Sequence, residues 1–499
     1  MKYFLLFLGL ISQFILANEF SQSTLVSTEL TAYNYYPDIE VDESGTIYIV
    51  WVNSHQGGDV HFAMSNDHGQ TFTHLSRVNH VLNQATTIGF SGPQIEVLND
   101  TIHVLWTDQR SGYSHTSAYY ARSIDQGISW EESQIGHPNG VNFYPELMID
   151  SEGIIHASFH YYQSGSFDYH HIAHTFSSDG GETWSEYSNV SDYEIGEPCD
   201  CCPIELHELP NGKIIHGFRN NNENIRDMFS TEWKSEDSTW INLAPLSYDN
   251  YFVDFCPSSG PSMVSLDSTV AMAYMAGLNG DTRVFLSLSD DLGDTFSVNI
   301  PLEISGQTDI NQNHPSAVIT DNGDIHMIWE DSRNGGNILY GKLEFGQTLF
   351  SDFSTVNDSA TTFPEIAPKL ARDSEGFLYA VWVDRRYGRQ IHFSTTYPVP
   401  LSNQHKIIPD LFTLFEPYPN PFNPRTTIQF SIQSEISHAF ALLQVLDING
   451  RIVETLVNEK KEKGIHKIQW NASDYSSGVY FISLKIHENV KTVKTILLK

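Results

Sequence analysis

The sequence predicts an all-β chain, a β-propeller of four-stranded blades followed by a small immunoglobulin-like β-sandwich. Three observations carry that reading: a repeat with a period of about 55 residues, strands rich in Val, Ile, Tyr and Trp joined by short turns, and a change of composition after a Pro-rich stretch at Glu416–Pro424.

The repeat comes first. Seven segments share one grammar: Pro, an alternating apolar strand, an Asp/Asn-Gly type of turn, a second strand ending in an aromatic, and a third strand. They begin at Pro37, Pro93, Pro145, Pro203, Pro261, Pro315 and Pro368, at intervals of 56, 52, 58, 58, 54 and 53 residues. Seven starts predict seven blades, with six as the rival count. No fourth strand follows Ser394 before Pro398-Val399-Pro400, whereas residues 21–30 form an orphan β-like stretch. The N-terminal strand is therefore expected to complete the last blade.

Four repeats carry a second signature between their third and fourth strands: Ser65–Phe72 (SNDHGQTF), Ser123–Trp130 (SIDQGISW), Ser177–Trp184 (SSDGGETW) and Ser289–Phe296 (SDDLGDTF). These runs resemble the Asp-box, or BNR repeat, of the sialidase-like propeller superfamily. Asp67, Asp125, Asp179 and Asp291 are expected to be structural, since an Asp side chain in such a turn accepts backbone N–H groups and Gly supplies positive φ. Strand order in a blade, with the third-to-fourth turns on one side, puts the boxes on the bottom face, and the resemblance implies that chemistry belongs on the top, as in an exo-α-sialidase-like glycoside hydrolase. The chain departs from that family in its seven repeat starts, where known sialidases have six blades, and in lacking a Phe-Arg-Ile-Pro element.

Lys2, an apolar run from Phe4 to Leu16 and then Ala17 have the layout of a signal peptide over residues 1–17, with the mature chain starting near Asn18. The run is about 13 residues, short of the roughly 20 needed to span a bilayer. The propeller is expected over 18–400, a linker over 401–412 and the second domain over 413–499. There, strand patterns run over Thr427–Ile432, Leu443–Leu446, His466–Trp470 and Gly478–Leu484. The runs YPNPFNP at Tyr418, LDINGRIV at Leu446, SSGVYF at Ser476 and the terminal Lys494–Lys499 resemble the sorting domain of the type IX (Por) secretion system. That resemblance implies passage through the Sec route, then export across the outer membrane with removal of the tag. The plainer alternative is an ordinary immunoglobulin-like appendage.

The formal net charge is −34. From Leu411 onward, 10 Lys+Arg against 8 Asp+Glu give +2, so the remainder carries −36. Such a surface repels phosphate backbones and argues against nucleic acid as a partner. An anionic ligand would need a local arginine cluster.

Top-face hairpins repeat an Asp-Arg motif: Asp108/Arg110, Asp331/Arg333 and Asp384/Arg386. Each pair either grips a ligand or braces its own hairpin. Arg219, Arg226 and Arg283 escape the repeat and are expected to grip a substrate carboxylate, with Asp227 as acid/base. The residues before each repeat proline, Tyr36, Gly92, Tyr144, Cys202, Gly260, His314 and Ala367, should ring the channel mouth. Tyr36, Tyr144, His314, Arg333 and Arg386 are thus the substrate-binding candidates. Cys199, Cys201, Cys202 and Cys256 are expected to form two disulfides of open pairing, with a thiolate metal site, His314 joining, as the alternative. No cofactor is otherwise called for. The functional expectation is a secreted or cell-surface propeller acting on or binding extracellular glycans, the alternative a non-catalytic propeller that binds polysaccharide or protein.

Overall fold

The computed structural model describes residues 20–27, 33–54, 57–87, 89–138, 140–163, 170–191, 196–278, 280–297, 299–302, 310–358, 363–386, 388–398, 412–415, 417–432, 438–448, 451–462, 464–486 and 489–499. The expected signal peptide 1–17 and residues 401–411 of the expected linker lie outside them. No helix among the described residues is long and apolar enough to cross a membrane.

Up to Val399 the chain builds seven antiparallel sheets. Their first strands are Tyr35–Val41, Gln94–Leu98, Gly140–Ile149, Glu205–Glu208, Ser262–Leu266, Gln312–Ile319 and Ile366–Arg372. These pack in ring order, the last against the first, so they enclose the central channel. Among the described residues the count is seven blades. In blade seven, Ile366–Arg372, Leu378–Asp384 and Gln390–Thr395 are completed by Thr24–Leu25 from the N-terminus, with Thr24 opposite Phe393 and Leu25 opposite His392. Backbone bonds from Ser21 N–H to Thr395 O (2.8 Å) and Val26 N–H to Ile391 O (2.9 Å) extend the closure.

Alternation along the strands explains how blades pack. Tyr48, Val50, Phe62 and Met64 of blade one face Ile95, Val104 and Trp106 of blade two in one buried cluster, and comparable clusters fill the other blade interfaces. Burial of this kind contributes about 25 cal/mol per Å² of apolar surface. The Ser-X-Asp turns add a local lock. Asp67 accepts the Thr71 N–H (2.9 Å) and the hydroxyls of Thr71 (2.6 Å) and Ser65 (2.8 Å), while Ser65 Oγ accepts the Gly69 N–H (2.9 Å). Asp125, Asp179 and Asp291 repeat the arrangement with Ser129, Thr183 and Thr295. Gly69 has φ 81°, and a Cβ there would lie 2.0 Å from the Phe393 ring of blade seven. The aromatics that end the first three turns meet the preceding blade edge-on: Phe72 on Phe393, Trp130 on Phe62 and Trp184 on Tyr120.

The second unit, Pro400–Lys499, is a two-sheet sandwich. One sheet orders Phe412–Leu414, Arg425–Ile432 and Gly464–Asn471; the other orders Ile452–Glu462, His438–Leu446, Gly478–Ile486 and Asn489–Leu497. Ile428, Phe430 and Trp470 from the first meet Leu443, Val445, Ile482 and Leu484 from the second in a buried core. The Lys-rich strand Ile452–Glu462 escaped the sequence reading because its alternation is broken by NEKKE, and its exposed face explains that composition.

Candidate functional site

At the channel's top, a first-strand bulge takes in the repeat proline and the residue before it in four blades. The register slips at Tyr35/Asp38, Phe143/Glu146, Asn313/Ser316 and Ile366/Lys369, and the pre-proline residue has positive φ: Tyr36 43°, Tyr144 53°, His314 45° and Ala367 54°. Side chains rarely adopt this conformation, so the surrounding packing must enforce it. It turns Tyr36, Tyr144 and His314 toward the mouth. Gly92 and Gly260 hold the equivalent places where a side chain would not fit: a Cβ would lie 2.1 Å from Tyr36 O and 2.4 Å from Pro203 O. The mouth is lined by these residues and Phe90, above the seven repeat prolines.

Phe90 lies between Tyr36 and His314, with ring centroids at 5.4 and 4.0 Å. His314 Nε2 contacts Ser258 O at 2.9 Å, and its Nδ1 stands 2.8 Å from Glu330 Oε1 without hydrogen-bond alignment. Glu330 Oε1 also accepts the Ala367 N–H at 2.7 Å. Burial pushes the Tyr36 hydroxyl up to about 12, against the opposing charge of Arg389, which also bonds to it. Burial raises Tyr144 further. Below the prolines the channel is acidic. Glu40 is pushed up to about 8 by burial and by the Asp38 charge, and Glu205 to about 7 by burial. Lys369 Nζ lies 3.6 Å from Asp38 Oδ1. These side chains are half-buried, and the protein packed around them makes ionising the carboxyls costly.

The arginines depart from expectation. Arg219 is 1 % exposed, and its guanidinium donates to the carbonyls of Arg226 (2.7 Å), Met275 (2.7 Å) and Ser259 (3.2 Å); it is a strut between blades four and five. Arg226 is buried and donates to Cys199 Sγ at 3.0 Å. Asp227 accepts the N–H groups of Asn250 (3.1 Å) and Tyr251 (3.0 Å), holding that loop, and burial raises its carboxyl. Arg283 pairs with Asp281 at 3.0 Å. No gripping set forms from them: Arg219 is spent on backbone carbonyls, Arg226 on Cys199 Sγ and Arg283 on Asp281. Arg333 and Arg386 brace their own hairpins: Arg333 forks onto Asp331 at 2.6 and 2.5 Å, and Arg386 onto Asp384, its Nε at 2.6 Å. Of the substrate-binding candidates, the structure brings Tyr36, Tyr144 and His314 together and leaves Arg333 and Arg386 paired. Cys202, expected at the mouth, turns inward and is 1 % exposed. The expected pair of disulfides is one, Cys201–Cys256, with Cys199 and Cys202 free.

Sequence reasoning missed Phe90, Glu330 and Arg389 at the mouth. It also missed exposed rings on the loops that topology assigns to the top face: Tyr33, Tyr113, Tyr248, Phe252, Phe255 and Phe363, each more than half exposed. Their signal was available, as aromatics between strands rather than within them.

Seven blades with closure by the N-terminal strand define a β-propeller among the described residues, joined to a separate β-sandwich. Residues 416–499 of that sandwich match the family of secretion system C-terminal sorting domains, the Por secretion tail, which marks the chain for export by type IX secretion. Among solved structures, the propeller is similar to a polysaccharide lyase, PL25 ulvan lyase bound to -[GlcA(1-4)Rha3S]-, at 12 % identity and a TM-score of 0.50, covering 72 % of this chain and 94 % of that one. It is also similar to the GH93 α-L-arabinofuranosidase of Fusarium graminearum (16 %, TM-score 0.46, 77 % and 98 % covered) and to NanB sialidase from Streptococcus pneumoniae (13 %, 0.42, 77 % and 71 %). At these identities the likeness concerns the fold. No curated protein matches the chain in sequence.

Proposed function

We propose that the protein is exported to the cell surface or beyond, where its top face binds an extracellular glycan around the mouth of the channel. The carrying observation is the set of exposed rings Tyr113, Tyr248, Phe252 and Phe255 on top-face loops. Exposed aromatics of this kind on a strongly acidic surface mark an interaction site, and a ring offers a pyranose face a flat apolar partner. The glycan class is supported by solved propellers described as a polysaccharide lyase, an arabinofuranosidase and a sialidase. Binding is favoured over sialidase-type hydrolysis because Arg219, Arg226 and Arg283 are all committed within the protein.

Affinity electrophoresis of the full chain in gels containing neutral and anionic polysaccharides tests this, with product release measured in parallel. Retardation by at least one polysaccharide is expected, weakened about tenfold by Phe252→Ala or Tyr113→Ala if each ring contributes about 1.4 kcal/mol. No retardation by any polysaccharide refutes the proposal. Release of oligosaccharides would make the site an active one.

A further inference from the structure

The cysteine cluster lies outside the glycan reading. The Cys201–Cys256 disulfide, with Cα atoms 6.0 Å apart, joins the entry of blade four to the loop leading into blade five. Its Cys256 end is exposed. Behind it lie two free thiols, Cys199 and Cys202, each 1 % exposed, with sulfurs 3.1 Å apart. Cys199 Sγ also stands 3.6 Å from Cys201 Sγ, which is contact distance for a thiol facing a disulfide. Arg226 Nη1 reaches both sulfurs, at 3.0 and 4.0 Å, where it can stabilise a thiolate at either.

The two thiols are unequal. The Cys202 hydrogen bond and the charges of Arg219 and Arg226 pull Cys199 down to about 6 against its burial, whereas burial and the neighbouring Cys199 hold Cys202 well above the ordinary thiol range. This inequality, with Arg226 only 3.0 Å from Cys199 Sγ, favours Cys199 as the nucleophile and Cys202 as the second, resolving thiol.

We propose that this cluster is a thiol–disulfide exchange site, in which the buried Cys199/Cys202 pair passes two electrons to the solvent-facing Cys201–Cys256 bond. In the first step the Cys199 thiolate attacks Cys201 Sγ; the Cys199–Cys201 bond forms, the Cys201–Cys256 bond breaks and Cys256 leaves as a thiolate. In the second, Cys202 gives up its proton to the Cys256 thiolate and attacks Cys199 Sγ; the Cys199–Cys202 bond forms and Cys201 leaves. The Cys199/Cys202 dithiol is thereby oxidised and the Cys201–Cys256 disulfide reduced, with no outside reagent. The exposed Cys201/Cys256 dithiol then reduces an external low-molecular-weight disulfide, re-forming its own bond and releasing two thiols.

The test uses the full chain brought anaerobically with dithiothreitol to one remaining disulfide, leaving two free thiols in the wild type and one in Cys199→Ser, then alkylated with iodoacetamide and mapped by peptide mass spectrometry without reduction. Exchange predicts alkylated Cys256 together with Cys199–Cys201 or Cys199–Cys202 linked peptides, and about tenfold less Cys256 labelling in Cys199→Ser, whose nucleophile is gone. Equal labelling of Cys256 in both proteins, or in neither, overturns the proposal. So does stoichiometric bound zinc or copper with all four cysteines protected. If Cys199→Ser fails to fold, the pH profile of wild-type labelling decides. A midpoint near 6 that moves upward in Arg226→Gln supports exchange, and one near the ordinary thiol value of about 8.5 overturns it.

Discussion

Replacing Arg219 by Met separates a structural arginine from a ligand-gripping one. The side chain is fully enclosed, and its three N–H···O=C bonds at 2.7, 2.7 and 3.2 Å tie blade four to Met275 of blade five and to the segment before Pro261. A hydrogen bond from a charged donor contributes about 1.5–3 kcal/mol, and three that share one group do not add. Met keeps most of the volume and leaves no buried ion, but it strips donors from enclosed carbonyls. The expected loss is about 1–3 kcal/mol, the cost of leaving enclosed carbonyls without their donor. Urea unfolding followed by tryptophan fluorescence should show a lower midpoint with an unchanged slope. Polysaccharide retardation of the folded variant should match wild type. An unchanged urea midpoint with abolished retardation would refute the reasoning and return Arg219 to the binding site.

The remaining predictions concern closure, sorting and pH. Deleting residues 20–27 removes the fourth strand of blade seven and should expose the edge Gln390–Thr395, giving faster proteolysis within blade seven than elsewhere. Removing residues 416–499 should leave the propeller folded but retained in the periplasm, as cell fractionation would reveal; undiminished surface delivery would contradict the sorting role. Burial holds His160 and His216 down to about 3, so below about pH 6.5 the unfolded chain binds protons that the folded chain does not, and stability falls as pH drops from 6.5 toward 3. Glu40 and Glu205, raised to about 8 and 7 chiefly by burial, act oppositely, since the folded state holds the proton and stability falls as pH rises from about 4.5 toward 8. Urea midpoints should therefore peak between about pH 5 and 7; no decline from 6.5 to 8 would remove the channel carboxyls from the account.

Much of the fold was legible because its signals are local. A proline every 52 to 58 residues, strand alternation and the missing fourth strand after Ser394 led to seven blades closed from the N-terminus, and YPNPFNP with the terminal strand pointed to the sorting sandwich. The positive φ at Tyr36, Tyr144 and His314 was not legible, though their nearness to the channel followed from counting residues along each first strand. The committed arginines were least legible. Nothing adjacent in sequence says that Arg219 meets Met275 O, or that Arg226 reaches Cys199, since each contact depends on how one blade's second strand registers against a neighbouring segment. The cysteines show the same division. Their clustering and even count could be read directly, but which sulfurs bond depends on where the loop carrying Cys256 docks. Sequence by itself determined the blades and the sorting tail and favoured seven blades over six, because strand periodicity and turn chemistry are written within a few residues. Only the tertiary structure decided which charged and sulfur groups face solvent and which brace the ring, because burial and pairing are set by packing between blades tens of residues apart.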